Sequence, residues 1–88
     1  MITLIRSSEF KKQFSKISAR LQDRIEERLR MFLNDQFDSI LDNHSLHGQD
    51  AGYRSINISG DLRLIFRVVE SDIFLLVKIG THHQLYEK

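Results

Sequence analysis

The sequence predicts an α+β domain: an N-terminal strand is added to an antiparallel sheet with a C-terminal three-stranded meander, and a two-helix hairpin packs on one face of that sheet. A change in periodicity carries this prediction. Apolar residues recur every three or four positions between residues 10 and 33, and every second position between residues 53 and 79. No linker, repeat or low-complexity tract interrupts the 88 residues, so we expect a single domain over residues 1–88.

The first half of the chain predicts one strand and two helices. Residues 1–5 are rich in β-branched side chains, which are typical of a strand. Ser7 and Ser8 both offer an N-cap, and the apolar face that follows them predicts a helix over residues 8–16. Ser18 offers a second N-cap within this face. We therefore expect a separate second helix over Ala19–Asn34 rather than one long rod.

The second half predicts a loop followed by three strands. Polar and small residues dominate positions 35–49, which indicates a loop with about one helical turn at residues 38–41. Alternating apolar residues then predict strands over residues 53–59, 62–69 and 73–79. The connectors are short and polar, as hairpins require. A polar and aromatic tail over residues 80–88 should lie where the last strand ends.

The middle strand of the meander predicts which side chains face the helices and which point away from them. Successive side chains of a strand point to opposite faces. The side expected to face the helices carries Leu64, Phe66 and Val68. The opposite side carries Arg63, Ile65 and Arg67.

Composition excludes several classes of protein. No stretch reaches the roughly 20 apolar residues of a transmembrane helix, and the N-terminus lacks a secretory signal, so a cytoplasmic protein without membrane association is expected. The chain has no cysteine, which excludes disulfides and thiolate chemistry. Thirteen basic residues face 12 acidic ones, a balance unlike that of proteins that coat nucleic acid by charge alone. Most of the basic residues are arginine, whose planar fork of donors suits phosphate.

Side chains able to support catalysis concentrate in the second half of the chain. They are His44, Asp61, Arg63, His82, His83 and Tyr86. Because the meander strands are neighbours, we expect the exposed sheet face to gather these groups on one side. Cleavage of RNA by its own 2′-hydroxyl needs a base, a cation that stabilises charge on the phosphate and an acid for the leaving oxygen. Imidazole suits the acid and base roles, and guanidinium the cationic one.

Each of these residues also has a purely structural interpretation. His82 and His83 are equally consistent with two surface histidines, and Asp61 is typical of a turn residue. Arg63 and Arg67 alternate on one strand and would keep a sheet face hydrated. The same interpretation, a loop or surface position, applies to His44, Tyr53 and Arg54. No third histidine or carboxylate stands at a zinc-like spacing, so no metal site is expected.

Four spaced blocks of the second half are more specific together than any one of them. They read DNHSLHG at residues 42–48, GYRSINI at 52–58, GDLRLIF at 60–66 and IGTHHQLY at 79–86. In this order they resemble the RelE/ParE toxin superfamily and, within it, the YafQ-like branch. The predicted order of elements also matches, so the resemblance covers nearly the whole chain. It implies a RelE-like fold and the toxin of a type II toxin–antitoxin module.

The resemblance implies a ribosome-dependent endoribonuclease, an mRNA interferase that inhibits translation and needs no cofactor or metal. By position, His82 matches the family's general acid or base, while Asp61 and His44 match two further catalytic residues. Arg63 stands where related toxins keep an arginine that stabilises phosphate, and Tyr86 matches an aromatic residue that holds the RNA. Further RNA contacts are expected from Arg54, Asn57, Arg67 and His83.

The sequence departs from the YafQ-like pattern at two positions. Asn57 replaces a histidine, which removes one candidate base. Leu62 replaces a tryptophan, which removes a platform for base stacking. The pairing of acid and base is therefore left open, and His83 is a candidate replacement.

The resemblance also implies partners. A small cognate antitoxin is expected to cover the helices and the active face. The ribosome and mRNA are the expected targets of the toxin. The toxin–antitoxin complex is expected to bind operator DNA through the antitoxin. One alternative is a ParE-like toxin, which shares the fold and poisons DNA gyrase without catalysis. Another is an inactive binder or regulator that acts with its antitoxin on DNA. The retained histidines argue against the inactive form.

Overall fold

The computed structural model describes residues 1–86, and in this part of the chain one five-stranded sheet carries helices. The elements are β1 (Thr3–Arg6), α1 (Ser8–Ser15), α2 (Ala19–Asn34), β2 (His44–Ser45), β3 (Arg54–Ser59), β4 (Leu62–Glu70), β5 (Ile73–Thr81) and α3 (His82–Tyr86). Single 3₁₀ turns at Ser39–Leu41 and Gly48–Asp50 lie in the long loop region. The predicted α+β class is confirmed.

Serine N-caps define where the first two helices begin, and of the two candidates for α1 the structure uses Ser7. The hydroxyl of Ser7 accepts a hydrogen bond from the amide of Phe10 at 3.0 Å. That of Ser18 accepts one from the amide of Leu21 at 3.4 Å. Each hydroxyl satisfies a backbone donor that has no partner inside its helix. The helix hairpin therefore has the boundaries that the sequence predicts, with α1 one residue shorter at its C-terminal end.

The sheet order is β1-β5-β4-β3-β2, and the meander of β3, β4 and β5 is antiparallel as predicted. The sheet as a whole is mixed, because β1, whose direction was not predicted, pairs with β5 in parallel. Two parallel strands need a long crossover connection. Between β1 and β5 the connection is formed by the helices and by β2, β3 and β4. A four-residue strand carries no pattern that encodes its direction. The two-residue strand β2 was likewise too short to be predicted.

The core lies between the sheet and the α1–α2 hairpin. Phe66 packs edge-on against Phe32, with ring centroids 5.1 Å apart, and is stacked on Phe74 at 5.7 Å. Aromatic pairs of this geometry contribute beyond the area they bury. The cluster joins α2 to β4 and β5, and it fixes the side of β4 that faces the helices.

The exposure of two β4 side chains does not follow from strand alternation alone. Val68 was expected beneath the helices but remains 48% exposed. It lies toward the C-terminal end of β4, which extends beyond the part of the sheet that the helices cover. Ile65 points away from the helices as expected, and it is nevertheless only 2% exposed. It shares a cleft with Leu46 and Tyr53, so the segment after β2 shields part of that face.

No helix within residues 1–86 has both the length and the apolar character needed to cross a membrane.

Candidate active site

The sheet face opposite the helices carries most of the predicted site residues. Leu64 and Ile56 are paired in register and fully buried against the helices. Their strand neighbours therefore point the other way. Arg63 is paired with Asn57 on this second face, which we call the open face.

An open pocket of about 380 Å³ lies on the open face. It is lined by Asp42, His44, Leu46, Ser55, Arg63, His82 and Tyr86. The structure thus brings together four of the five residues predicted to be catalytic, from β2, β4 and α3. A cation and two imidazoles share one surface that an extended polymer can reach.

The short helix α3 presents His82 and Tyr86 to this pocket. The two residues are one helical turn apart and therefore lie on the same side of the helix. Their ring centroids are 4.8 Å apart. Helix α3 was not predicted, although the sequence carries a signal for it, a Thr-x-x-Gln capping box. The amide of Thr81 donates to Gln84 Oε1 at 2.9 Å, and the amide of Gln84 donates to Thr81 Oγ1 at 3.2 Å.

Gly80 allows α3 to lie close against the end of β5. A Cβ atom at this position would stand 3.0 Å from Gln84 Oε1 and 3.3 Å from Gln84 Cβ. Those distances are shorter than side chains normally tolerate. A side chain at this position would crowd Gln84, which explains why the Gly-Thr-His block has a glycine there.

The capping box gives a testable prediction about α3. We expect Gln84→Ala to release the amide of Thr81 and to lower local protection against hydrogen exchange about fivefold, since losing a helix cap costs about 1 kcal/mol. Gln84→Glu is the matched control, because a glutamate completes the same box. NMR-detected exchange of the Thr81 and Gln84 amides measures the effect. Equal protection in the alanine variant would contradict this account of how α3 is held.

Arg63 provides the cationic group of the pocket. Its guanidinium donates to the carbonyl of Gly60 at 3.3 Å. Among residues 1–86 no carboxylate forms a salt bridge with it, in contrast to Arg6, which is paired with Glu26. Most of its hydrogen-bond donors are therefore available to a phosphate.

His44 is held by the residue two positions before it. Its Nδ1 lies 2.7 Å from the backbone carbonyl oxygen of Asp42 and 3.8 Å from the Asp42 carboxylate. The His44 side chain remains 48% exposed. The ring is thus oriented through one nitrogen and accessible to a ligand.

Several predicted residues lie outside the pocket. Asp61 is exposed in the β3–β4 turn, and His83 is exposed on α3. Arg67 is exposed on the open face of β4, toward Leu75 of β5. Asn57 lies beside Arg63, with a buried Oδ1 that has no hydrogen-bond partner in the described part of the chain.

Arg54, for which an RNA contact was predicted, lies on the helix side of the sheet and outside the pocket. It is paired in register with the buried Phe66, so it points toward the helix side. Its Nε donates to Asn43 Oδ1 at 2.8 Å, and its guanidinium lies 5.8 Å from the ring centroid of Phe37. Arg54 therefore anchors the loop that precedes β2.

Three pocket residues were not predicted from the sequence: Asp42, Leu46 and Ser55. Ser55 is 1% exposed, and its hydroxyl has no hydrogen-bond partner within residues 1–86. Its signal was a polar residue two positions before Asn57, on the same strand face. Asp42 lines the pocket too, and a single sequence gives no sign of its left-handed backbone.

No group of three or more potential metal ligands is gathered in residues 1–86.

Solved structures share this fold over almost the whole chain. YafQ from E. coli strain BL21(DE3) superposes with a TM-score of 0.81 at 18% identity, covering 98% of this chain and 99% of that one. A YoeB/ParE toxin from Agrobacterium tumefaciens gives 0.77 at 21% identity, covering 92% and 99%. The E. coli DinJ–YafQ toxin–antitoxin complex gives 0.78 at 19% identity, covering 97% of both chains. The fold is therefore that of the RelE-like toxins.

The family follows from the sequence itself. The family described as "Bacterial toxin of type II toxin-antitoxin system, YafQ" matches residues 2–87. The chain belongs to this YafQ family of type II toxins. No curated protein matches it by sequence.

Proposed function

We propose that the chain is a ribosome-dependent endoribonuclease that cleaves mRNA and thereby inhibits translation. The observation that supports this most is the pocket of the open face, which combines two imidazoles, a guanidinium and an aromatic ring on an accessible surface. Acid, base, cation and stacking partner are the groups that attack of a 2′-hydroxyl on its adjacent phosphate requires. No metal or cofactor takes part in the proposed reaction.

In the proposed reaction His44 and His82 handle the protons. One imidazole takes the proton of the 2′-hydroxyl while the other protonates the departing 5′ oxygen. Arg63 stabilises the charge that grows on the phosphate oxygens, where its forked donors bind two oxygens at once. Tyr86 offers its ring to a base, because a base has an apolar face that stacks on aromatic side chains.

The residues around the pocket extend the proposed RNA site. Asn57 supplies a polar group beside Arg63. Asp61 lies in the turn before β4, Arg67 lies farther along β4, and His83 follows His82 on α3. Leu62 is buried in the core, so its side chain offers no platform for stacking. In this toxin the stacking role therefore falls to Tyr86.

We further propose that a small cognate antitoxin covers the toxin. The targets of the free toxin are the ribosome and mRNA. The E. coli complex shows that relative with an antitoxin, DinJ. Exposed apolar side chains near the end of α2, at Leu33, Phe37 and Ile40, offer area for such a partner. The resulting complex would bind operator DNA through the antitoxin.

Mapping of new 5′ ends on cellular mRNA after brief induction tests the proposed nuclease. We expect cuts within translated regions and rapid arrest of protein synthesis. The double variant His82→Ala/Arg63→Ala should give neither, because it removes both a proton-transfer group and the cation. Cuts that persist in the double variant would refute this site. A DNA-damage response without mRNA cuts would instead indicate a gyrase poison.

A further inference from the structure

Asp42 has a backbone conformation that most residues avoid. Its φ of 47° and ψ of 50° lie in the left-handed region, and it is the single non-glycine residue with positive φ among those described. Aspartate tolerates this region better than β-branched residues do. Strained backbone conformations of this kind cluster at functional sites. In this chain the unusual residue lines the pocket of the open face.

The left-handed turn aims the carbonyl of Asp42 at the ring of His44. The distance from that oxygen to Nδ1 is 2.7 Å. A carbonyl oxygen only accepts hydrogen bonds, so Nδ1 must carry a proton. In a neutral imidazole the other nitrogen, Nε2, then holds the lone pair. The contact therefore selects one tautomer of His44.

The surrounding chain holds this contact in place. The amide of Asp42 donates to the carbonyl of Ser39, and the Asn43 side chain donates to the carbonyl of Gln36 at 3.0 Å. Arg54 of β3 donates a hydrogen bond to the same Asn43 side chain. His44 is itself paired with Ser55 across the β2–β3 ladder. Residues on both sides of the left-handed turn are thus anchored.

We propose that Asp42 is a positioning residue that fixes the tautomer of His44, so that Nε2 of His44 is the base that removes the 2′ proton. This assignment rests on the proposed nuclease function. The O2′–H bond breaks as its proton passes to Nε2, and the O2′–P bond forms. The P–O5′ bond breaks, and the 5′ oxygen takes a proton from the imidazolium of His82. His44 is then the base and His82 the acid of the pair.

Long-range ¹H–¹⁵N NMR of histidine-labelled toxin tests the tautomer without any assay of activity. At a pH where the imidazoles are neutral, we expect the His44 ring to carry its proton on Nδ1, with assignment by the loss of its signals in His44→Gln. Asp42→Gly should keep this tautomer, because glycine adopts the left-handed conformation freely. Asp42→Val should lose it, since a β-branched residue disfavours positive φ.

Single-turnover cleavage of mRNA on ribosomes provides the second measurement. We expect Asp42→Val to slow cleavage roughly 10²-fold, the lower end of what a positioned base contributes. Asp42→Gly should slow it no more than about fivefold, the effect of losing one exposed charge near the ring. Circular dichroism establishes that both variants fold.

The outcomes separate this inference from the proposed function. A proton on Nε2 of His44 in the unmodified toxin overturns the role of Asp42, whether or not the toxin cuts RNA. So does a folded Asp42→Val variant that keeps both tautomer and rate. An Nδ1-protonated ring in a toxin that cleaves no RNA leaves the tautomer assignment standing and refutes the nuclease.

Discussion

Replacing His82 by alanine is expected to slow mRNA cleavage on the ribosome by about 10²–10⁴-fold, the contribution of a well-placed acid or base. His82 is exposed, lines the pocket with Arg63 and contacts the ring of Tyr86. In the proposed reaction its removal leaves the 5′ oxygen to depart without a proton donor. Because an exposed side chain is lost, the free energy of unfolding should change by no more than about 0.5 kcal/mol.

The matched control for His82 is His47. It is another exposed histidine, it lies outside the pocket, and its side chain makes no capping hydrogen bond. We expect His47→Ala to cleave at the rate of the unmodified toxin. Single-turnover rates on programmed ribosomes distinguish the two variants. A folded His82→Ala protein that cleaves as fast as His47→Ala would show that the proton donor lies elsewhere.

The helices could be predicted from the sequence because their signals are local. A serine cap followed by an apolar face determines where α1 and α2 begin, and the structure places both caps as expected. The direction of β1 could not be predicted, because it depends on which strand lies beside it after folding. The exposure of Val68 depends on where the helical cover stops. Both are properties of the assembled layers rather than of a sequence window.

The same distinction applies to the site. Strand alternation was enough to place Arg63 on the open face, and the block resemblance pointed to His44, His82 and Tyr86. Arg54 was assigned to RNA although the same alternation rule puts it on the helix side with Phe66. Contacts such as that of Asp42 with His44 depend on backbone angles that a single sequence does not reveal.

Core and site share the meander strands. On β4, Leu64 and Phe66 are buried against the helices, whereas the neighbouring Arg63 lines the pocket on the other face. Whatever fixes Phe66 on one face therefore fixes Arg63 on the other, because the two residues are three positions apart along one strand and successive side chains point to opposite faces. Loss of packing in the core should disturb the position of the cation.

Substituting Phe66 by alanine is accordingly expected to cost about 3–5 kcal/mol of the free energy of unfolding. Phe66 is fully buried, and its ring contacts both Phe32 and Phe74. A domain of this size has a total stability on the order of 5–15 kcal/mol, so this single change removes a large fraction of it. The thermal midpoint should fall by roughly 20 °C. Calorimetry or circular dichroism measures the shift.

The same substitution at an exposed phenylalanine provides the control. Phe37 is 63% exposed and contacts Arg54 through its ring face, so Phe37→Ala should cost less than about 1 kcal/mol. If Phe66→Ala does not fold at all, Phe66→Leu keeps most of the volume and should cost less than about 2 kcal/mol. Equal losses for Phe66→Ala and Phe37→Ala would mean that the aromatic cluster does not hold the helices on the sheet. The position of Arg63 would then need another explanation.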